Sequence, residues 1–152
     1  MLVPEIPNNS LKSEIEQITK LALALEGEEW FEFNNPATEI EIKELENYFN
    51  AKFPESYKDW LRFSNGSSIA NNYIVFFTIS QVKKLQIKTL PDDYIIIGKL
   101  IGDGELLCIS KASQSFIRYF ESEEHKYNDL KEFFERPLKR MIRNAEEILG
   151  DL

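Results

Sequence analysis

Between Tyr73 and Phe120 the apolar residues arrive in short runs joined by short connections, and this spacing restricts the fold more than any other feature. Tyr73-Ile-Val-Phe-Phe-Thr78, Tyr94-Ile-Ile-Ile97, Glu105-Leu-Leu-Cys-Ile109 and Ser115-Phe-Ile-Arg-Tyr-Phe120 are dense in β-branched and aromatic residues. Ser80–Gln86 reads as a brief helix or turn, and Gly98–Gly104 as a turn between Ile97 and Leu106. A parallel crossover needs a dozen or more residues, so these runs are expected to pair as an antiparallel meander of about four or five strands.

On either side of the meander the apolar period lengthens to three and four. Leu11, Ile15, Ile18, Ala22 and Leu25 define one amphipathic helix, with Ser10 as its expected cap and Gly27 near its end. Glu28–Phe33 alternates imperfectly and is compatible with a short, acid-protected edge strand. Thr38 and Glu41 have the spacing of a capping box ahead of a stripe of Ile42, Leu45 and Phe49. Pro54 is suited to the first position of a third helix, with Tyr57, Trp60 and Leu61 inward and Ser64-Asn-Gly66 closing it. A last helical pattern runs from Leu130 to Leu149, and Pro137 within it predicts a kink or break near Arg136. The expected architecture is α+β: a central, mainly antiparallel sheet flanked by N-terminal and C-terminal helices. A single domain over residues 1–152 is expected, with 1–9 an irregular lead-in and 137–152 a helical extension.

Charge and cysteine content limit the chemistry. A chain of 152 residues buries about 70% of its extended surface, enough for a core without staples. The net charge of −8 argues against general nucleic-acid or anionic-membrane binding and favours a basic partner. Cys108 lies alone in an apolar run and reads as a buried thiol of a reducing compartment. The N-terminus has no basic start before an apolar segment, and no apolar run nears the roughly 20 residues of a bilayer span. The expectation is a soluble, cytoplasmic protein.

Pro36-Ala-Thr38, Glu41-Ile42, Leu45-Glu46, Phe53-Pro54, Ser56-Tyr57, Trp60-Leu61 and Asn65-Gly66 follow one another in a recognisable order. Tyr94–Gly98, Gly102-Asp103-Gly104 and a closing helix after Tyr127-Asn-Asp-Leu130 continue it. Over residues 30 to 136 this pattern resembles the SMI1/KNR4 family of the SUKH superfamily. The resemblance implies a small α+β domain, many of whose bacterial members act as immunity proteins that neutralise toxins, often nucleases, while fungal members are interaction proteins of cell-wall regulation. Lacking the long polar extensions of the fungal members, the chain is expected to fall with the bacterial ones. Helical text beyond Arg136 departs from the family pattern. Pro36, Thr38, Glu41, Pro54, Tyr57, Trp60, Leu61, Asn65, Gly66, Gly98, Gly102 and Asp103 form the structural signature.

No motif for catalysis, cofactor or metal stands out. Gly98–Gly104 lacks the Gly-Lys-Ser or Gly-Lys-Thr end of a phosphate loop. His125, beside Glu121, Glu123 and Glu124, has no second histidine or nearby cysteine for zinc and reads as surface-loop polarity. The expected function is non-enzymatic protein binding, with a basic cognate toxin as partner; the alternative is a general interaction module with no toxin partner. Candidate partner-binding residues are Glu28, Glu29, Trp30 and Glu32, with Glu121, Glu123 and Glu124 as a second acidic group. Solubility alone would also account for the acids.

Overall fold

Each strand of the sheet lies beside its neighbour in sequence, in the order β1-β2-β3-β4-β5-β6-β7, and every pairing is antiparallel. The computed structural model describes residues 1–101 and 104–150. Its strands are β1 (Glu32–Phe33), β2 (Ser67–Ile69), β3 (Ile74–Phe76), β4 (Tyr94–Leu100), β5 (Leu106–Ser110), β6 (Phe116–Phe120) and β7 (Glu123–Tyr127). Helices α1 (Lys12–Ala24), α2 (Glu39–Phe49) and α3 (Glu55–Phe63) precede most of the sheet, α4 (Ile79–Lys84) links β3 to β4, and α5 (Leu130–Leu149) follows it. The α+β class and the flanking helices are as expected from sequence, but the sheet has seven strands rather than four or five.

The two strands absent from the sequence reading have little apolar signal. β2 is Ser-Ser-Ile and turns into β3 through Ala70, Asn71 and Asn72, all at positive φ. β7 is Glu-Glu-His-Lys-Tyr, mostly exposed, so the segment read as a polar loop around His125 is an edge strand. Glu123, Glu124, His125 and Lys126 are what an unpaired edge carries when it must not recruit another chain. Conversely, Gly98 does not begin a turn. β4 continues through it to Leu100, with a register shift between Ile96 and Gly98.

Helix ends follow local chemistry. Thr38 caps α2 reciprocally: its hydroxyl accepts from Glu41 N at 3.1 Å, and Glu41 accepts from Thr38 N at 2.9 Å. Thr38→Ala is therefore expected to destabilise the protein by about 1 kcal/mol, measured as a shifted urea midpoint at constant slope. Thr78 and Gln81 repeat the arrangement at α4. Ser10, expected to cap α1, does not: its hydroxyl and amide both donate to the Asp59 carboxylate, and Asn9 Oδ1 accepts from Leu11 N at 3.0 Å. Pro54 has ψ 140° and occupies the cap of α3, one residue before the position expected for it. Gly66 does adopt positive φ, at 83°, but the helix cap is the extended Ser64, so the left-handed residue launches β2.

Neither a break nor a second helix occurs at Pro137. α5 runs unbroken for 20 residues, and Pro137 is buried in the same face as Leu130, Phe133, Phe134, Leu138, Met141 and Ala145. Packing of that face offsets the one intrahelical bond a proline removes. Centrally, Trp60 of α3, Phe76 of β3 and Phe134 of α5 meet with ring centroids 4.8–6.0 Å apart, tying both helices to the sheet.

Candidate functional site

The Pro36–Gly66 segment builds scaffold. Tyr57, Trp60 and Leu61 are fully buried. Ala37 N donates to Leu61 O at 2.8 Å, clasping the turn before α2 onto α3. Asn65 Oδ1 accepts from Ile79 N at 2.9 Å, while Asn34 Nδ2 donates to the carbonyls of Asn65 and Gly66. Pro36 is exposed. Gly98 admits close approach: a Cβ there would stand 2.3 Å from Val75 O. Gly102 and Asp103 lie outside the described residues. The described signature residues thus supply caps, core and strand spacing.

Charge binds the same segment together. Arg62 grips Glu39 with two parallel bonds of 2.9 Å and reaches Glu55 at 2.6 Å and Asp59 at 2.8 Å. The guanidinium holds both Glu39 and Glu55 below the usual 4.5 of a glutamate, chiefly through these hydrogen bonds. A carboxylate depressed in the folded state adds stability that is complete above its unfolded value and is lost as pH falls through its folded one. Both glutamates are largely exposed, so each contribution is small. Arg62→Gln should lower stability near neutrality by about 1–2 kcal/mol, mostly through the buried Asp59, and flatten the loss of stability below pH 4.5. Urea midpoints of both proteins from pH 3 to 7 check this; parallel curves would contradict it.

The two acidic groups singled out by sequence sit at opposite edges of the sheet, on β1 and β7. Six inter-strand steps lie between them, so they do not form one surface. Glu26 and Glu28 bound a 3-10 turn, Glu29 follows at φ 56°, and Glu32 opens β1. Glu26, Glu29 and Glu32 share a shallow groove of about 520 Å³ with Met1, Leu2, Phe31 and Phe33, while Glu28 lies outside it. The second group is divided. Glu123 and Glu124 are consecutive in a strand and point to opposite faces, and Glu124 accepts a hydrogen bond from the Tyr94 hydroxyl, pushing that phenol up to about 12. Glu121 lies in the tight β6–β7 turn at φ 48°.

Trp30 is half-buried and lines an apolar pocket of about 240 Å³ with Leu21, Leu25 and Phe31 on one side and Met141 and Ala145 of α5 on the other. This pocket opens beside a larger cleft of about 750 Å³ bordered by Arg118, Arg136, Lys139, Arg140 and Arg143. The sequence reading missed that cleft. Its signal was available: Arg136, Lys139, Arg140 and Arg143 are spaced i, i+3, i+4 and i+7, one side of a helix.

Cys108 is fully buried, and burial pushes its thiol up to about 12, so it stays protonated at neutral pH. His125 stands exposed on β7 opposite Arg118. Among the described residues no three or more His, Cys, Asp and Glu side chains are grouped to hold a metal ion, and no helix is long and apolar enough to cross a membrane.

A sequential seven-stranded meander, helices at both of its ends and a capped, aromatic scaffold segment before it together define the structural class. The chain belongs to the SMI1/KNR4 family (SUKH-1), whose model matches residues 36–136. It is similar to the uncharacterized protein YnaB of Bacillus subtilis (strain 168), with 25% identity over 89 residues, 59% of this chain and 61% of that protein. The chain thus matches about three-fifths of that relative's length. The matched span starts six residues later than the resemblance read from sequence and ends at Arg136, in the first half of α5.

Proposed function

We propose that this chain is a non-enzymatic binding protein of the immunity type, which acts by occupying a cognate toxin. Membership of a superfamily that includes immunity proteins is the observation that carries the reading. The buried, protonated Cys108 and the structural use of the signature residues are in keeping with it. Growth of cells expressing a toxin encoded beside this gene, with and without this chain, tests it. Rescue with both proteins soluble supports immunity; failure of rescue under those conditions argues for an interaction module without a toxin partner.

For a basic toxin, the Glu29–Glu32 edge with Trp30 beside it is the proposed docking rim, and Glu121, Glu123 and Glu124 the second candidate. Changing Glu28, Glu29 and Glu32 together to glutamine should slow association and weaken its salt dependence while leaving thermal stability nearly unaltered, because rim charges act mainly on encounter. Stopped-flow association at several salt concentrations reads this out. An unchanged rate and salt slope would place the interface elsewhere.

A further inference from the structure

Helix α5 has two unlike faces. Leu138, Met141 and Ala145 are buried, while Arg136, Lys139, Arg140 and Arg143 stand exposed along one stripe. Arg118 of β6 extends that stripe, so four of the five arginines in a chain of net charge −8 border one cleft. Two of them are fixed in place: Arg118 is gripped by Glu105, and the Arg140 guanidinium lies 5.5 Å from the centre of the Tyr73 ring. Arg136, Lys139 and Arg143 form no ion pair among the described residues, although Glu147 borders the same cleft. The cleft and the Trp30 pocket adjoin, with Tyr73, Ile101, Arg140 and Asn144 lining both.

We propose that this joined surface binds an acidic segment of a partner protein, with carboxylates on the arginines and one aromatic or aliphatic side chain in the Trp30 pocket. Guanidinium groups pair with carboxylates through two parallel bonds, and a pocket with apolar walls beside them selects a polypeptide with an apolar anchor. Nucleic acid fits less well. A long polyanion meets the repulsion of the whole acidic chain and has no use for the apolar pocket, whereas a short segment feels mainly charges within a Debye length of about 8 Å. Lys139, Arg140 and Arg143 lie beyond the span matched by the family model, whereas Arg118 and Arg136 lie within it. The site does not depend on the partner being a toxin.

The test uses the full chain and a fluorescein-labelled 12-residue probe of Glu and Asp with a central Phe-Leu pair. Peptide anisotropy reports binding, and Trp30 emission reports filling of the pocket, since Trp60 is fully buried in both states. Arg136→Glu with Arg143→Glu should weaken binding by about tenfold or more with an unaltered circular dichroism spectrum, and Lys139→Glu alone should weaken it less. Replacing Phe-Leu by Ser-Ser should cost a similar factor and abolish the change in Trp30 emission. The proposal is overturned if the probe does not bind, if the charge-reversed protein binds it equally, if the Ser-Ser probe binds equally, or if a thymidine 12-mer binds more tightly than the acidic peptide. Growth rescue by the immunity reading is a separate measurement, so either reading can fail alone.

Discussion

Trp60→Ala is expected to lower the free energy of unfolding by about 3–5 kcal/mol, a large fraction of the roughly 5–15 kcal/mol that holds a protein of this size together. The indole is fully buried, and three phenylalanine rings surround it: Phe76 at 4.8 Å, Phe63 and Phe134 both at 5.5 Å. These neighbours come from β3, α3 and α5, so none can collapse into the vacancy without dragging a helix or strand. Its Nε1 donates to Ser67 Oγ at 3.2 Å, and truncation also leaves that buried hydroxyl without its donor. Trp60→Phe keeps most of the ring contact and should recover more than half of the loss. Urea denaturation of both variants decides the matter. A Trp60→Ala protein that unfolds at the parental midpoint would mean that the indole packs nothing and that α3 is oriented differently.

Gly98→Ala should destabilise by about 2–3 kcal/mol, at the upper end for a single added methyl group. Gly98 pairs with Phe76 on one side and Leu107 on the other, in the middle of the sheet. The added Cβ would stand 2.3 Å from the Val75 carbonyl oxygen, which belongs to the neighbouring strand and cannot withdraw without loosening the β3–β4 ladder. Hydrogen exchange should accordingly speed up for amides of β3 and β4 before those of β6. Gly27→Ala is the matched control: nothing lies within 4 Å of its Cβ position and its φ is not positive. It should change stability by no more than about 0.5 kcal/mol, with stabilisation the expected direction. Equal effects of the two alanines would show that chain flexibility, rather than strand spacing, sets the requirement for Gly98.

The elements legible in the sequence were those whose signal is local. Leu11, Ile15, Ile18 and Ala22 repeat at helical spacing, Thr38 and Glu41 carry their own cap, and Tyr94–Ile97 has little alternative to a strand. What escaped depended on partners far away in sequence. Ser67-Ser-Ile69 is a strand because Phe33 and Phe76 flank it, and Glu123–Tyr127 is one because β6 offers an unpaired edge. Gly98 looked like a turn because the carbonyl that forbids a side chain there lies 23 residues upstream. Among candidate site residues, Trp30 was singled out as an interface anchor; it is half-buried, and its neighbours Tyr73, Arg140 and Met141 come from distant parts of the chain. Glu123 and Glu124 looked like one patch only because strand alternation had not been assigned to them.

The pairing of α1 with α5 bears on the order in which the chain can mature. Adjacent strands in the meander from β4 to β7 need only short loops to meet, so they can associate as soon as they are made. The apolar stripe of α1 has its chief packing partner more than a hundred residues away. At about 5–20 residues per second, Leu11, Ile15 and Ile18 wait roughly 6 to 24 s after synthesis before α5 begins to be made. For that interval the nascent chain presents a greasy helix to the cell. Slowing the docking of α1 onto α5 would prolong exposure to chaperones and proteases rather than alter the finished stability.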